Sequence, residues 1–317
     1  MNIGVDVGGM SIKAGIVDDS GKIVFKDTIP TGAKREMPEI VHDMGLFIEN
    51  VIKKSGVSKN DISSIGFGIP GACNPSEGKV VRCSNINLAG APIAGEVHKY
   101  IDVPVFLNND ANVAALAEYY HIGKPMECFI AVTLGTGIGG GIILNGKIYS
   151  GFNGIAAELG HITTNENGEN CGCGRKGCWE AYASVSALIR QTKSAMESDK
   201  NSLMHQFACD IESVNGKTAF DAAKKGDKTA LKVVETYINH VSAGITNIIN
   251  IFQPEMIVIG GAICKEGDYL LNPITEYCNR ESYGANIAEM TEIKIASLGN
   301  DAGIIGAAML GKSNGVV

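Results

Sequence analysis

Apolar residues fall along this chain in short runs of Val, Ile and Leu, each closed by glycine or by Asp, Asn and Ser. Runs of that length and composition predict strands bounded by turns. The stretch 3–17 reads as a strand, a turn at Gly8 and Gly9, and a second strand; Asp18, Asp19, Ser20 and Gly21 then make a tight turn before a third strand near Ile23. The stretch 130–144 repeats this plan. Gly135, Gly137, Gly139, Gly140 and Gly141 mark its first turn, Asn145 and Gly146 its second, and residues 147–149 its third strand. A unit used twice predicts two similarly folded domains facing each other.

Helical periodicity appears between and after these hairpins. Helices are predicted over 37–54, from a cap at Asn109 and Asp110 to about residue 120, over 218–250 as one or two helices with a break near Gly226, and over 301–310. Strands are predicted over 62–67, 104–107, 256–259 and 293–296. Strands alternating with helices place the chain in the α/β class.

Length supports two domains, since 317 residues exceed what one hydrophobic core usually holds. The longest apolar runs are strand-sized, well short of the roughly 18 residues of a membrane span. No basic start leads into an apolar signal region, so the cytoplasm is the expected compartment and no membrane partner is expected. Net charge is −7 and no basic cluster could neutralise a run of phosphates, which argues against nucleic acid as a partner. Of nine cysteines, six are scattered and three crowd together at Cys171, Cys173 and Cys178. In a reducing compartment such crowding favours a metal site over a disulfide framework.

The glycines carry the first candidate chemistry. Gly135, Gly137 and Gly140 satisfy G-x-G-x-x-G, but a dinucleotide fold needs a helix directly after them, and here a strand and a turn follow. What remains is a glycine turn between strands. Its bare N–H groups can form an anion nest, to which Thr136 adds a hydroxyl. Gly8 and Gly9 form the matching turn, and Asp6 before it can hold hydrated Mg²⁺ against β- and γ-phosphates. Lys13, further along the hairpin, either reaches phosphate or is a solvated charge.

These two turns, together with Gly260 and Gly261, resemble the phosphate loops of the ROK family of sugar kinases and repressors, within the actin-like ATPase superfold. The resemblance covers nearly the whole chain. It implies two actin-like (ribonuclease H-like) ATPase domains with a cleft between them. One domain would span 1–122, completed by a C-terminal helix within 298–317, and the other 123–297 with the cysteine loop. ATP would bind at Asp6, Gly8, Gly9, Lys13, Gly135, Thr136, Gly137, Gly139, Gly260 and Gly261. Family members carry D-x-G-G-T near the N-terminus. Met10 stands in place of that threonine, so one phosphate hydroxyl is expected to be missing, and strand alternation should turn neighbouring Ser11 to the other face.

Asn109 and Asp110 read from composition either as a helix N-cap or as a general base with its neighbour. The resemblance selects the base, because Asn109, Asp110 and Asn112 match the family's N-D-x-N stretch. The resemblance also implies that Glu158, His161 and Glu180 contact the sugar with Asn109 and Asp110, and that Asn85 and Gly71 lie at the same site. From residue type alone, Asn85 and Gly71 would be turn residues.

Cys171, Cys173 and Cys178 place three thiolates in a glycine-rich loop, and His161 lies ten residues before the first. Three thiolates and one imidazole form a closed tetrahedral zinc set with no open position for chemistry. The family pattern C-x-C-G-x-x-G-C-x-E matches from Cys171 to Glu180. The expected role of zinc is structural: it ties His161 to the cysteine loop and fixes the flanking glutamates. The resemblance thus implies hexokinase-type transfer from ATP to a hexose, D-glucose at O6, in carbohydrate metabolism and glycolysis, by a homodimer or homotetramer. An N-acetylmannosamine or other hexose kinase is the nearest alternative. A sugar-sensing regulator is the other, and its expected DNA-binding segment is not seen ahead of the first strand.

Overall fold

The computed structural model describes residues 1–83 and 85–313. In chain order the elements begin with strands β1 (Asn2–Val7), β2 (Ser11–Val17) and β3 (Ile23–Pro30), helix α1 (Met37–Ser55), strands β4 (Ser64–Ile69), β5 (Gly71–Asn74) and β6 (Lys79–Cys83), and helix α2 (Ile93–Val97). Strand β7 (Val105–Asn109) and helix α3 (Asp110–Ile122) follow, then strands β8 (Cys128–Leu134), β9 (Ile138–Leu144) and β10 (Lys147–Ile148). Helices α4 (Glu180–Ala183), α5 (Val185–Ser198), α6 (Met204–Phe207), α7 (Thr218–Ala223) and α8 (Lys228–Phe252) come next. Strand β11 (Met256–Gly260), helix α9 (Asp268–Glu281), strand β12 (Glu292–Ile295) and helix α10 (Ala302–Met309) complete the chain. The C-terminal stretch expected over 298–317 is described to residue 313, and its last four residues lie outside the described residues.

The repeated hairpin units found in the sequence head two five-stranded sheets built in one order, β3-β2-β1-β4-β7 and β10-β9-β8-β11-β12. In the first sheet, β1 pairs antiparallel with β2 and parallel with β4, and β4 pairs parallel with β7. Two compact units are distinguished. The first holds Met1–Ala131, Gly141–Ala157 and the chain from Ser297 on; the second holds Val132–Gly140 and Glu158–Ala296.

A row of three glycines explains how the first unit closes. Gly15, Gly4 and Gly66 are register partners across β2, β1 and β4. A Cβ on Gly4 would overlap the carbonyl oxygen of Ile304, and one on Gly66 that of Ala307. Helix α10 therefore lies with its backbone directly on the sheet, in a groove that any side chain would fill. Its burial is near complete, from Ile304 to Met309.

The long helical stretch over 218–250 divides into α7 and α8. Gly226 turns the chain at φ +83°, and the Asp227 side chain then accepts from Ala230 N at 2.7 Å to cap α8. The β5–β6 hairpin, α5 and α9 carried no distinct signal in the sequence reading.

Candidate functional site

In the first unit, β1 delivers Asp6 and the turn Gly8–Met10. Gly8 N–H donates to Ser11 O at 3.0 Å, closing the turn. Thr31 clamps it from behind: its hydroxyl donates to Gly8 O at 2.5 Å, and its N–H to Met10 O at 3.0 Å. Thr31 is fully buried and was not singled out in the sequence. Met10 sits in the turn, 90 % exposed, and β2 starts only at Ser11. Strand alternation therefore does not relate Met10 to Ser11; the turn breaks it. Asp6 and Lys13 are cross-strand partners, with Lys13 Nζ 3.2 Å from Asp6 Oδ2. Gly303, at the start of α10, leaves room for Asp6: a Cβ there would stand 2.6 Å from the carboxyl carbon.

Asn109 is the N-cap of α3. Its Oδ1 accepts from Ala111 N at 2.9 Å and Asn112 N at 3.4 Å, while its Nδ2 donates to Gly71 O at 3.2 Å. The capping function read for the pair thus belongs to Asn109. Asp110 is the first helical residue, with Oδ1 accepting from Ala111 N at 2.9 Å. Behind it the Asn108 side chain accepts from Asn109 N at 2.8 Å and from Asn112 Nδ2 at 3.0 Å, so a buried amide pair fixes the turn. Gly71 starts β5, where a Cβ would overlap Arg82 O. Asn85 is exposed after β6. A hollow of about 460 Å³ in this unit is lined by Asn108 and Asn109 together with Cys73, Asn74, Phe152 and Asn153. Burial, with contributions from Cys83 and Asp110, pushes the Cys73 thiol up to about 12, so it stays protonated.

In the second unit, the turn between β8 and β9 presents Gly135, Thr136 and Gly137, with Gly135 N–H donating to Gly137 O at 2.9 Å. Thr136 is exposed, and a Cβ on Gly135 would meet only Gly137 O, at 3.9 Å. Gly139 lies inside β9. Gly260 ends β11, and Gly261 follows at φ +113°, where a Cβ would overlap Leu134 O. The two glycine segments, far apart in sequence, are thereby brought together. Gly137 has a further reason to be bare. A Cβ there would overlap Oε2 of Glu180, which accepts from Ile138 N at 2.8 Å.

The cysteine loop lies beside this turn. The donor atoms of His161, Cys171, Cys173 and Cys178 all fall within 4.8 Å of one another. Cys171 Sγ stands 3.6 Å from His161 Nδ1, and Cys173 Sγ 3.6 Å from Cys178 Sγ. Donors about 2.0–2.3 Å from a tetrahedral zinc ion are separated by distances of this size, so the set fits zinc. With Nδ1 toward the thiols, the other ring nitrogen of His161 faces Glu158, at 4.0 Å. Burial raises the Cys171 thiol to about 12 and also raises Cys178, whereas the Arg175 backbone N–H lowers Cys173. Arg175 also joins the loop to the segment just after Glu158, donating to His161 O at 3.2 Å and Thr163 Oγ1 at 2.7 Å. Between Cys178 and Glu180 the fully buried Trp179 donates from Nε1 to His240 O at 2.8 Å, in space left by Gly244 of α8. Arg175, Trp179 and the Glu180–Ile138 bond were invisible in the sequence, because their partners lie 12 to 61 residues away.

The sequence profile of the ROK family matches residues 2–314. The chain belongs to the ROK family. Among ROK proteins, it is 37 % identical over 316 residues to a protein named glucokinase from Halalkalibacterium halodurans, covering 98 % of this chain and 94 % of that one. A solved ROK glucokinase from Streptomyces griseus, in complex with glucose and AMPPNP, superposes with a TM-score of 0.80 at 32 % identity and 98 % coverage of both chains. A xylose repressor from Caldicellulosiruptor bescii matches at 27 % identity, covering 96 % of this chain and 76 % of the repressor. The duplicated sheet order is that of the actin-like ATPase fold of the ROK sugar kinases. Among the described residues no helix is long and apolar enough to cross a membrane.

Proposed function

We propose that this protein is an ATP-dependent glucokinase that phosphorylates D-glucose at O6, with Asp110 as the general base. The observation that carries this reading is the full-length likeness to ROK proteins named glucokinase, at 33–37 % identity, above the 27 % of the repressor.

An alcohol is a poor nucleophile at neutral pH. Asp110 orients the sugar hydroxyl toward the γ-phosphorus and takes its proton as the new O–P bond forms and ADP leaves. Base catalysis of this kind contributes about 10²–10⁴-fold. Asn109 caps α3, and Asp110 at the first helical position also accepts from Ala111 N. Gly71, Asn85 and Asn109 in the first unit, and Glu158, His161 and Glu180 in the second, recognise hydroxyls by accepting and donating hydrogen bonds. The turns that carry Gly8, Gly9, Gly135, Thr136, Gly137, Gly139, Gly260 and Gly261, together with the Lys13 ammonium, hold phosphate oxygens, while the N–H groups of Gly8 and Gly135 close their own turns. Asp6 is the group suited to hold hydrated Mg²⁺, whose charge offsets that of the phosphates. His161 and the three thiolates would hold zinc, which would supply a rigid cross-link and leave one imidazole nitrogen as a donor to sugar.

The enzyme is assigned to the cytoplasm, as a homodimer or homotetramer; light scattering of the purified protein measures the latter. Comparing ATP turnover by wild type and Asp110→Ala with glucose tests the base. Equal activity of the two would remove Asp110 from that role.

A further inference from the structure

The family resemblance implies that Glu180 contacts the sugar. Its position gives it a second task. The carboxylate projects from the first residue of α4 into the turn between β8 and β9, where Oε2 accepts from Ile138 N at 2.8 Å. Gly137 is bare at the point where a Cβ would overlap that same oxygen. Gly135 O, at the start of the turn, accepts from Val185 N at 2.9 Å, just after α4 ends. The glycine turn is thus tied twice to the segment that runs from Cys178 through α4 into α5.

A turn of bare glycines is costly to order, because glycine loses more backbone freedom than any other residue. An anion nest works only when its N–H groups already converge. A charged acceptor bonded to a backbone N–H is among the stronger protein hydrogen bonds. Using Ile138 N–H in this way removes one donor from the nest and fixes the direction of those that remain, at Thr136, Gly137 and Gly139.

We propose that Glu180 is a positioning residue for nucleotide binding: its hydrogen bond to Ile138 N–H holds the Gly135–Gly139 turn in its phosphate-binding shape, independently of any contact with sugar. The inference rests on the reading of this turn as an ATP site. It separates two properties of the side chain, reach and charge. Glu180→Gln keeps the reach and an acceptor oxygen. Glu180→Asp keeps the charge but is one methylene too short for the 2.8 Å bond. Glu180→Ala loses both.

The test is calorimetric titration of each variant with a non-hydrolysable ATP analogue and Mg²⁺, without sugar, and separately with glucose alone. Loss of one charge-assisted bond predicts a nucleotide Kd raised about tenfold or more in Glu180→Ala and Glu180→Asp. Glu180→Gln should stay within about threefold of wild type. If Glu180→Ala fails to fold, Glu180→Asp carries the same expectation. Nucleotide Kd values that agree within about twofold across wild type, Asp and Gln variants would overturn the proposal, whatever happens to glucose affinity. Wild type that binds no nucleotide would instead remove the ATP reading itself, and this proposal with it.

Discussion

Glu118 holds Ser297: its two carboxylate oxygens accept from the Ser297 N–H at 3.0 and 3.1 Å and from its hydroxyl at 3.0 Å, and Leu298 N–H adds a bond at 2.8 Å. The carboxylate lies buried on α3, two turns beyond Asp110, and receives the chain where it enters the segment leading to α10. Truncation to alanine would leave three part-buried donors without this acceptor. Hydrogen bonds to charged groups are worth about 1.5–3 kcal/mol each, so Glu118→Ala should lose about 3 kcal/mol or more. Urea unfolding measures this, and a loss below about 1 kcal/mol would contradict the assignment.

The glycine row under α10 predicts a contrast between two identical substitutions. Gly66→Ala would place a methyl on the Ala307 carbonyl oxygen and should cost about 3 kcal/mol or more, because the sheet and helix backbones must separate. Gly95→Ala, within α2, meets nothing within 4 Å and should stabilise by about 0.5–1 kcal/mol. Thermal melts of both variants check the pair.

Removing zinc should act on sugar more than on chemistry. His161 lies three residues after Glu158 and Cys178 two before Glu180, so a zinc ion held by both would join the segments that carry the two glutamates. In a chelated sample verified as metal-free, KM for glucose should rise about tenfold or more and the melting temperature should fall. Unchanged glucose binding in such a sample would show that the loop keeps its shape without the ion.

Asp227 links stability to pH. Burial opposes its charge, but the N–H groups of Ala230 and Leu203 and the Ser202 hydroxyl outweigh that and hold its pKa below 3.8. A depressed folded pKa contributes stability above the unfolded value, and that contribution is lost as pH falls through the folded one. Asp227→Ala should therefore cost about 1–2 kcal/mol at pH 7, as a lost N-cap, and progressively less as the solution is acidified below pH 4. Chemical denaturation of the two proteins across that range makes the comparison.

The architecture is legible in the sequence because its signals are local. Two hairpins with the same glycine spacing become the leading strands of two sheets of one order, and Gly226 with Asp227 marks the end of one helix and the start of another. The crowding of Cys171, Cys173 and Cys178 likewise pointed to a candidate metal set, and the structure brings their sulfurs together with His161 Nδ1. What escaped was everything decided by distant partners. Gly4 and Gly66 looked like strand glycines, yet they are bare because α10, more than two hundred residues later, rests on them. Gly137 looked like part of a phosphate cradle, and its missing side chain makes room for Glu180. Met10 looked like a strand residue in register with Ser11, and it stands in the turn before the strand. Residue type and spacing carry propensity and chemistry; they do not carry which backbone will come to lie against which.

The central claim is met most directly by a phosphorylation assay with ATP and Mg²⁺ over a small sugar panel of D-glucose, D-mannose, D-fructose and N-acetylmannosamine, with the product position read by NMR. The account predicts that D-glucose has the highest kcat/KM and that the product carries phosphate on O6. A higher kcat/KM for N-acetylmannosamine, or no phosphoryl transfer to any sugar of the panel, would contradict it.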